Sequence, residues 1–441
     1  MTIQSRITLN EAEFLHGLRS AAEVLPSPEA PQFAGVFERF GDARVVLLGE
    51  ATHGSHEFYA ARAAITRRLI ERHGFNIVAV EGDWPDIARL DAYARHRAPR
   101  PRRGEPFLRF PAWMWRNEEM LAFTDWLRDH NAALAEDKRA GLHGLDIYSL
   151  SESIHAVTAY LNVHDPAAAA EARRRYACLM PWQDEPQHYG RAVEHGALAG
   201  CEASVVAQLQ SLLAGRMNYI AEDGEAFFDA EQNARIVRGA EQYYRAMYRG
   251  SAASWNLRDR HMFDTLLRLM AHREEARAVI WAHNSHVGNA SATAMGWHGE
   301  FNIGELVRAA FGDQAVLIGF GTDRGTVAAA SDWGADMRVM QVRPARDDSW
   351  ESAFRRTGYA RSLTDWRGHP AKELVELLSQ TLLERAIGVV YRPETERASH
   401  YFEAVLADQF DAFVWFEETQ AVTPLGHDRP HGAPETWPFG L

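Results

Sequence analysis

The sequence predicts an α/β fold: a mostly parallel central sheet flanked by helices, with a large helical insertion. Three observations lead there. Short runs of Val, Leu, Ile and Ala are apolar at every position rather than at alternate ones. Strands read this way when both faces of a parallel sheet are covered. Segments of helical periodicity separate these runs, giving a β-α-β-α order. From about residue 165 to 272 the strand pattern stops, and long mixed segments such as EDGEAFFDAEQNARIVRGAEQYYRAMY take its place.

In chain order, residues 5–40 read as helical segments broken at LPSPEAPQ. ARVVLLGE (43–50) is the first buried strand, bounded by Asp42 and Gly49. A helix follows. Ser55 suits its N-cap, Glu57 sits in the first turn where the helix dipole favours an acid, and Phe58, Ala61, Ile65 and Leu69 line one face. Gly74 stops it. FNIVAVEG (75–82) is the second strand, Pro85 opens the next helix, and AGLHGLDIY (140–148) is a third, weaker strand. The α/β pattern resumes at ARAVIWAHNSHV (276–287), and NIGELVRAAFG is helical. AVLIGFGTDRGTVAAAS reads as a hairpin turning near Asp323–Gly325, and AIGVVYRP and DAFVWFEETQAVTPL supply late strands. The organisation expected is one domain over 1–441, with an α/β core at about 40–150 and 276–425 and the helical insertion at about 151–275.

Composition narrows the function. The 441 residues are 46% hydrophobic, enough for a sizeable core, and the formal charge is −13. An acidic chain gains nothing from phosphate backbones, so no nucleic-acid partner is expected. RHRAPRPRRG (95–104) is a local basic cluster that reads equally well as a solvated loop or an anion site. The two cysteines, Cys178 and Cys201, exclude a disulfide framework and a cysteine-type zinc site. That usage suits a reducing cytosol. The first twenty residues lack a signal-peptide pattern, and no apolar run approaches the ~18 residues that span a bilayer. A cytoplasmic protein without a membrane partner is the expectation. The sequence does not set its oligomeric state.

In open α/β sheets, ligands bind beyond the carboxyl ends of the strands. The polar clusters sit at such ends. Glu50 and His53 follow the first strand and Glu81 the second; Asp146 falls within the third, and His283 and His286 follow the strand at Ala276. Side chains far apart in sequence are thereby expected on one rim. Two chemistries fit. A histidine activates water while a carboxylate orients its ring and a second histidine binds the oxyanion. Alternatively His53, His283, His286 and the glutamates hold a divalent metal. Arg62 either points into the crevice or snorkels at the edge of the helix's apolar face. Trp113 and Trp115, with Phe123 and Trp126, either line an apolar pocket for substrate or fill helix core. Arg258 either lies near the rim as an ion pair with Asp259 or is merely structural. Nucleophile-elbow, Walker A and dinucleotide-binding spacings are absent.

LLGEATHGSHEFYAAR, VAVEGDW, FPAWMWRNEEM, HGLDIYSL, NLRDRHM and WAHNSHVGN, in this order across most of 44–289, together resemble the erythromycin esterase family. The resemblance implies an α/β core with a large helical insertion forming a cleft. It implies a hydrolase of macrolide lactone rings, an activity of antibiotic resistance, in which activated water attacks directly, with no required metal or cofactor. The general base of that family falls on His53 and its motif glutamate on Glu50. The arginine of the following helix falls on Arg62, the second-strand glutamate on Glu81, and the late histidine pair on His283 and His286. His56 matches no role. The expected partner is a small-molecule ester or lactone. The rival readings are a metal-dependent hydrolase and a non-catalytic binder of a metal complex or small molecule.

Overall fold

The computed structural model describes residues 11–101, 107–183, 185–367 and 372–426. Eleven strands occur among them: β1 (Ala22–Val24), β2 (Val45–Leu48), β3 (Ile77–Asp83), β4 (Gly141–Asp146), β5 (Ala278–Trp281), β6 (Ala315–Ala330), β7 (Met337–Val342), β8 (Arg361–Asp365), β9 (Thr381–Arg385), β10 (Tyr401–Val405) and β11 (Ala412–Thr419). Nine form one sheet in the order β1-β8-β11-β6-β2-β5-β3-β4, with β7 paired to β6; β9 and β10 form a separate antiparallel pair. From β11 to β4 every neighbour is parallel, while β1, β7 and β8 run antiparallel to theirs.

The uniformly apolar strands have a direct cause. Val46, Leu48, Val78, Val80, Val279 and Trp281 point into a core on one face of the sheet. The alternating residues Val45, Leu47, Ile77, Ala79, Ala278 and Ile280 point into a second core on the other. Successive side chains in a strand face opposite ways, so a sheet covered on both sides leaves no position for a polar residue. The helix His56–His73 lies on the first face and buries Phe58, Ala61, Ile65 and Leu69. It ends at Gly74 in the left-handed region (φ 69°). Ser55 takes the N-cap position, but its hydroxyl turns to Thr52 instead of capping.

Between β4 and β5 the chain forms six long helices: Leu150–His164, Pro166–Tyr176, Pro186–Glu194, Glu202–Ala214, Arg216–Ala246 and Ser251–His272. The first five enclose a third core. Cys178 and Cys201 are joined there by a disulfide, so the cysteine count carries no argument about compartment. Among the described residues no helix is long and apolar enough to cross a membrane.

Two strand expectations need correction. AVLIGFGTDRGTVAAAS is not a hairpin: β6 runs straight through Asp323–Gly325, pairing with β11 as far as Gly325 and with β7 from Gly325 onward. The apparent turn residue lets two chains close up. Gly325 has φ 129°, and a Cβ there would overlap the Thr419 backbone. The strand expected at AIGVVYRP lies earlier, at β9, while Ile387 and Val390 make only isolated bridges to Thr52 and Ala330.

Register sets the rim. Leu48 and Val80 are both aligned with Trp281, so β2 and β5 end where β3 passes from Val80 to Glu81. Glu81 is the next residue of β3, and Glu50 and His283 stand two residues past the ends of β2 and β5. Gly54 presses the loop after β2 onto β6, where a Cβ would overlap the Ala328 backbone. Gly54→Ala is expected to cost about 1–3 kcal/mol by overpacking. A thermal melt checks this, and an unchanged transition would contradict it.

Candidate functional site

The two histidine clusters meet: the rings of His53 and His283 lie 4.9 Å apart between centroids. His53 is held first by its own loop, with Nδ1 2.9 Å from Glu50 Oε1. The other oxygen of Glu50 pairs with Arg62 at 2.6 Å. Arg62 is fully buried, with its guanidinium over the rings of Tyr59 and Trp281. With Nδ1–H donated to Glu50, Nε2 is the nitrogen that offers a lone pair when the ring acts as a base. That nitrogen lies 3.9 Å from Glu81 Oε1.

Glu81 is the hub of the second half. Its Oε1 accepts from Arg258 at 2.8 Å and lies 3.3 Å from His286 Nε2, and its Oε2 accepts the backbone N–H of His283 at 2.9 Å. Burial opposes its charge, but His286, His53 and Arg258 outweigh it and hold the carboxyl well below the usual range. The Trp115 indole donates to the Glu81 carbonyl at 2.7 Å, which fixes the backbone.

Arg258 grips Asp146 through two hydrogen bonds, 3.0 and 2.7 Å, and approaches His286 Nε2 at 3.0 Å. Asp259 turns instead to His286, with Nδ1 2.9 Å from its Oδ1. Trp255 stacks on the same imidazole, 4.5 Å away and nearly parallel. Burial would strip His286 of its proton, but Asp259 and Glu81 raise it to about 9. His283 is the opposite case. Burial, then the nearby His53, holds it well below the ordinary range, so it is neutral. Its Nδ1 accepts the Ser285 N–H at 3.2 Å, which puts the proton on Nε2, a buried atom with no hydrogen-bond partner.

Asn284, between the two histidines, anchors this turn. Its amide donates to the Phe320 carbonyl at 2.9 Å and to Glu384 at 3.0 Å, and its backbone N–H meets the Glu50 carbonyl at 2.8 Å.

The structure brings Glu50, His53, Arg62, Glu81, His283 and His286 into one cluster. It corrects the rest. Asp146 is spent on Arg258, and Arg258 on Asp146 and Glu81, so neither is open to substrate, and Arg258 does not pair with its neighbour Asp259. Consecutive helix residues point about 100° apart, which sends them to different partners. Trp113 and Trp115 are core residues, 4% and 2% exposed. Arg62 lies behind Glu50 and is not aimed at a developing oxyanion. The rim is roofed over, with every member of the cluster no more than 2% exposed. A cavity of about 1170 Å³ lies elsewhere, lined by Trp84, His143, Glu152, Phe228 and Asp229, and touches none of the three imidazoles.

Asp259, expected from the sequence as a partner of Arg258, serves His286 instead, and Trp255 and Asn284 are partners that sequence reasoning missed. Asp259 and Trp255 had a signal: Trp255, Arg258 and Asp259 stand at i, i+3 and i+4, one face of the helix Ser251–His272. For a metal, the fit is poor. His53 Nδ1, both nitrogens of His286 and both oxygens of Glu81 are already engaged. Among the described residues no group of three or more His, Cys, Asp or Glu side chains is arranged to hold one.

A sequence profile described as erythromycin esterase matches residues 70–419. The chain belongs to the erythromycin esterase family. At family level this supports an ester hydrolase. Erythromycin esterase type II of Escherichia coli is 21% identical over 398 residues, covering 85% of this chain and 91% of that protein. The fold is shared with a Bacillus cereus protein (TM-score 0.79, 19% identity, 95% and 100% of the two chains). It is shared with a succinoglycan biosynthesis protein (0.75, 20%, 94% and 98%). A histidine-to-asparagine mutant of the erythromycin esterase EreC in its open conformation also has it (0.67, 17%, 92% and 98%).

Titration of buried groups gives a stability expectation. Burial raises Asp83 to about 8 despite Arg109, and burial with Glu351 nearby raises Glu384 to about 8. The hydrogen bond that His56 donates to Glu119 raises His56 to about 9, matching His286. All four bind protons more tightly folded than unfolded. The histidine contribution is fully present below about pH 6.5 and is lost as pH rises through about 9. The two carboxyls, ionised above about pH 5 when unfolded, add the same sign up to about 8. Melting temperature is expected to fall between pH 6.5 and 9.5; a flat or rising profile would contradict these assignments.

Proposed function

We propose that the protein hydrolyses an ester or lactone by direct attack of a water molecule activated by His53. The observation that carries this is the chain Arg62–Glu50–His53, which leaves Nε2 as the basic nitrogen beside Glu81 and His283. Water on Nε2 gives up its proton as it adds to the carbonyl carbon. Glu50 stabilises the imidazolium that forms, and Arg62 holds Glu50 in place. Glu81, held anionic, orients the water. The Nε2–H of neutral His283 donates to the tetrahedral oxyanion. Collapse expels the alkoxide, which takes the proton from His53, so the atoms balance as substrate plus one water.

Family membership and the Escherichia coli relative favour a macrolide-like lactone as substrate. The test is mass spectrometry of a macrolide, lactone and simple-ester panel after incubation with the protein. The expected result is a gain of one water on at least one compound, lost with a His53 variant. No turnover on any compound, together with tight binding of one, would instead make this a binding protein.

A further inference from the structure

His56 lies three residues after His53, and the hydrolytic reading gives it no part. It opens the helix His56–His73 at the outer end of the loop that carries His53. The loop is crossed there by the segment that follows β11. Gly54 O accepts from Val422 N–H at 2.9 Å, Ser55 bridges Ala421, and His56 N–H reaches Gln420 O at 2.7 Å. Residues 420–425 thus form a strap: Gln420, Ala421 and Val422 are backbone-bonded to the His53 loop, and Thr423, Pro424 and Leu425 to residues 116–118 at the start of the helix Glu118–Asn131.

Side chains clamp the strap from two sides. Glu57 accepts the N–H of Gln420 at 2.7 Å. Glu119, on the helix Glu118–Asn131, accepts the N–H of Thr423 with both oxygens at 3.2 and 3.3 Å. His56 then meets Glu119, Nδ1 to Oε1, at 2.8 Å. The imidazole therefore ties the carboxylate that holds the strap to the helix that begins where the His53 loop ends. Its second contact, Nε2 to the exposed Glu29, is longer at 3.4 Å.

We propose that His56 and Glu119 are a positioning pair that holds the 420–425 strap across the His53 loop and so fixes His53 for turnover. The pair touches neither the three imidazoles of the site nor Glu81. Its effect on catalysis rests on the hydrolytic reading; its effect on the loop does not.

Both are measured on the full chain with His56→Ala, Glu119→Ala, His56→Asn and Glu29→Ala. The Asn amide can still donate to Glu119. His56→Ala and Glu119→Ala are each expected to lower kcat about tenfold, the size of one lost charge-assisted hydrogen bond. KM should change less than twofold. His56→Asn should recover most of kcat, and Glu29→Ala should not alter it. The double His56→Ala/Glu119→Ala variant should be no worse than the more affected single variant, because the two act as one unit. Amide exchange read by mass spectrometry should quicken in 50–56 and 420–425 of His56→Ala whether or not a substrate is known. Unchanged exchange overturns the strap. Faster exchange with unchanged kcat, or a kcat loss that tracks melting temperature and is not rescued by Asn, overturns the positioning role. If no ester is turned over by the wild type, the hydrolytic reading fails separately.

Discussion

Replacing His53 by alanine is expected to lower kcat roughly 10³-fold, the scale of a positioned general base, while the melting temperature stays within a few degrees. The chemistry is lost because the water loses the one imidazole nitrogen whose lone pair is directed by Glu50. The fold survives because the ion pair beneath it does not depend on the ring: Arg62 still meets Glu50 at 2.6 Å. Glu50→Gln differs. It leaves Arg62 buried without its carboxylate, so stability and turnover should fall together. Steady-state kinetics and thermal melts on the two variants separate these effects. A His53→Ala protein that turns over substrate normally removes the proposed base.

The largest loss of stability is expected at Arg258. Arg258→Met strands two buried carboxylates, Asp146 and Glu81, that now share one guanidinium. Breaking a buried ion pair by removing one partner costs about 3–5 kcal/mol, because the remaining charge stays buried. The variant places two anions at the ends of adjacent strands, close to the β3–β4 pairing. Its urea midpoint should drop accordingly, and more than that of a rim pair such as Arg346 with Asp348, where exposed partners contribute about 0–1 kcal/mol. An unchanged midpoint would mean that His286 alone neutralises Glu81.

Much of the rim was legible because of where the polar residues stand. Glu50 and His283 follow β2 and β5, Glu81 follows the apolar run Ile77–Val80 within β3, and a parallel sheet in register brings such residues together. The strands at the antiparallel end were not legible. β1 has three residues and β7 is largely exposed, so neither carries an apolar run. Gly325 imitates a turn within β6 because its missing Cβ serves close packing against Thr419. Within the site, the sequence showed which charges were present but not how they paired. Arg258 and Asp259 are adjacent in sequence, yet a helix sends one to Glu81 and Asp146 and the other to His286. The tryptophans of FPAWMWRNEEM carry the composition of a pocket wall and the burial of a core. Only the fold distinguishes the two.

The central claim is that water attacks the substrate directly, with His53 as base and no acyl-enzyme. Rapid-quench intact-mass spectrometry decides it, with enzyme mixed with an excess of an ester from the panel and acid-quenched from milliseconds to many turnovers. Direct attack leaves the enzyme at its unmodified mass throughout and gives no burst of released alcohol. An enzyme species heavier by the acyl group, or a burst of alcohol matching the enzyme concentration, would show a covalent intermediate and contradict the mechanism.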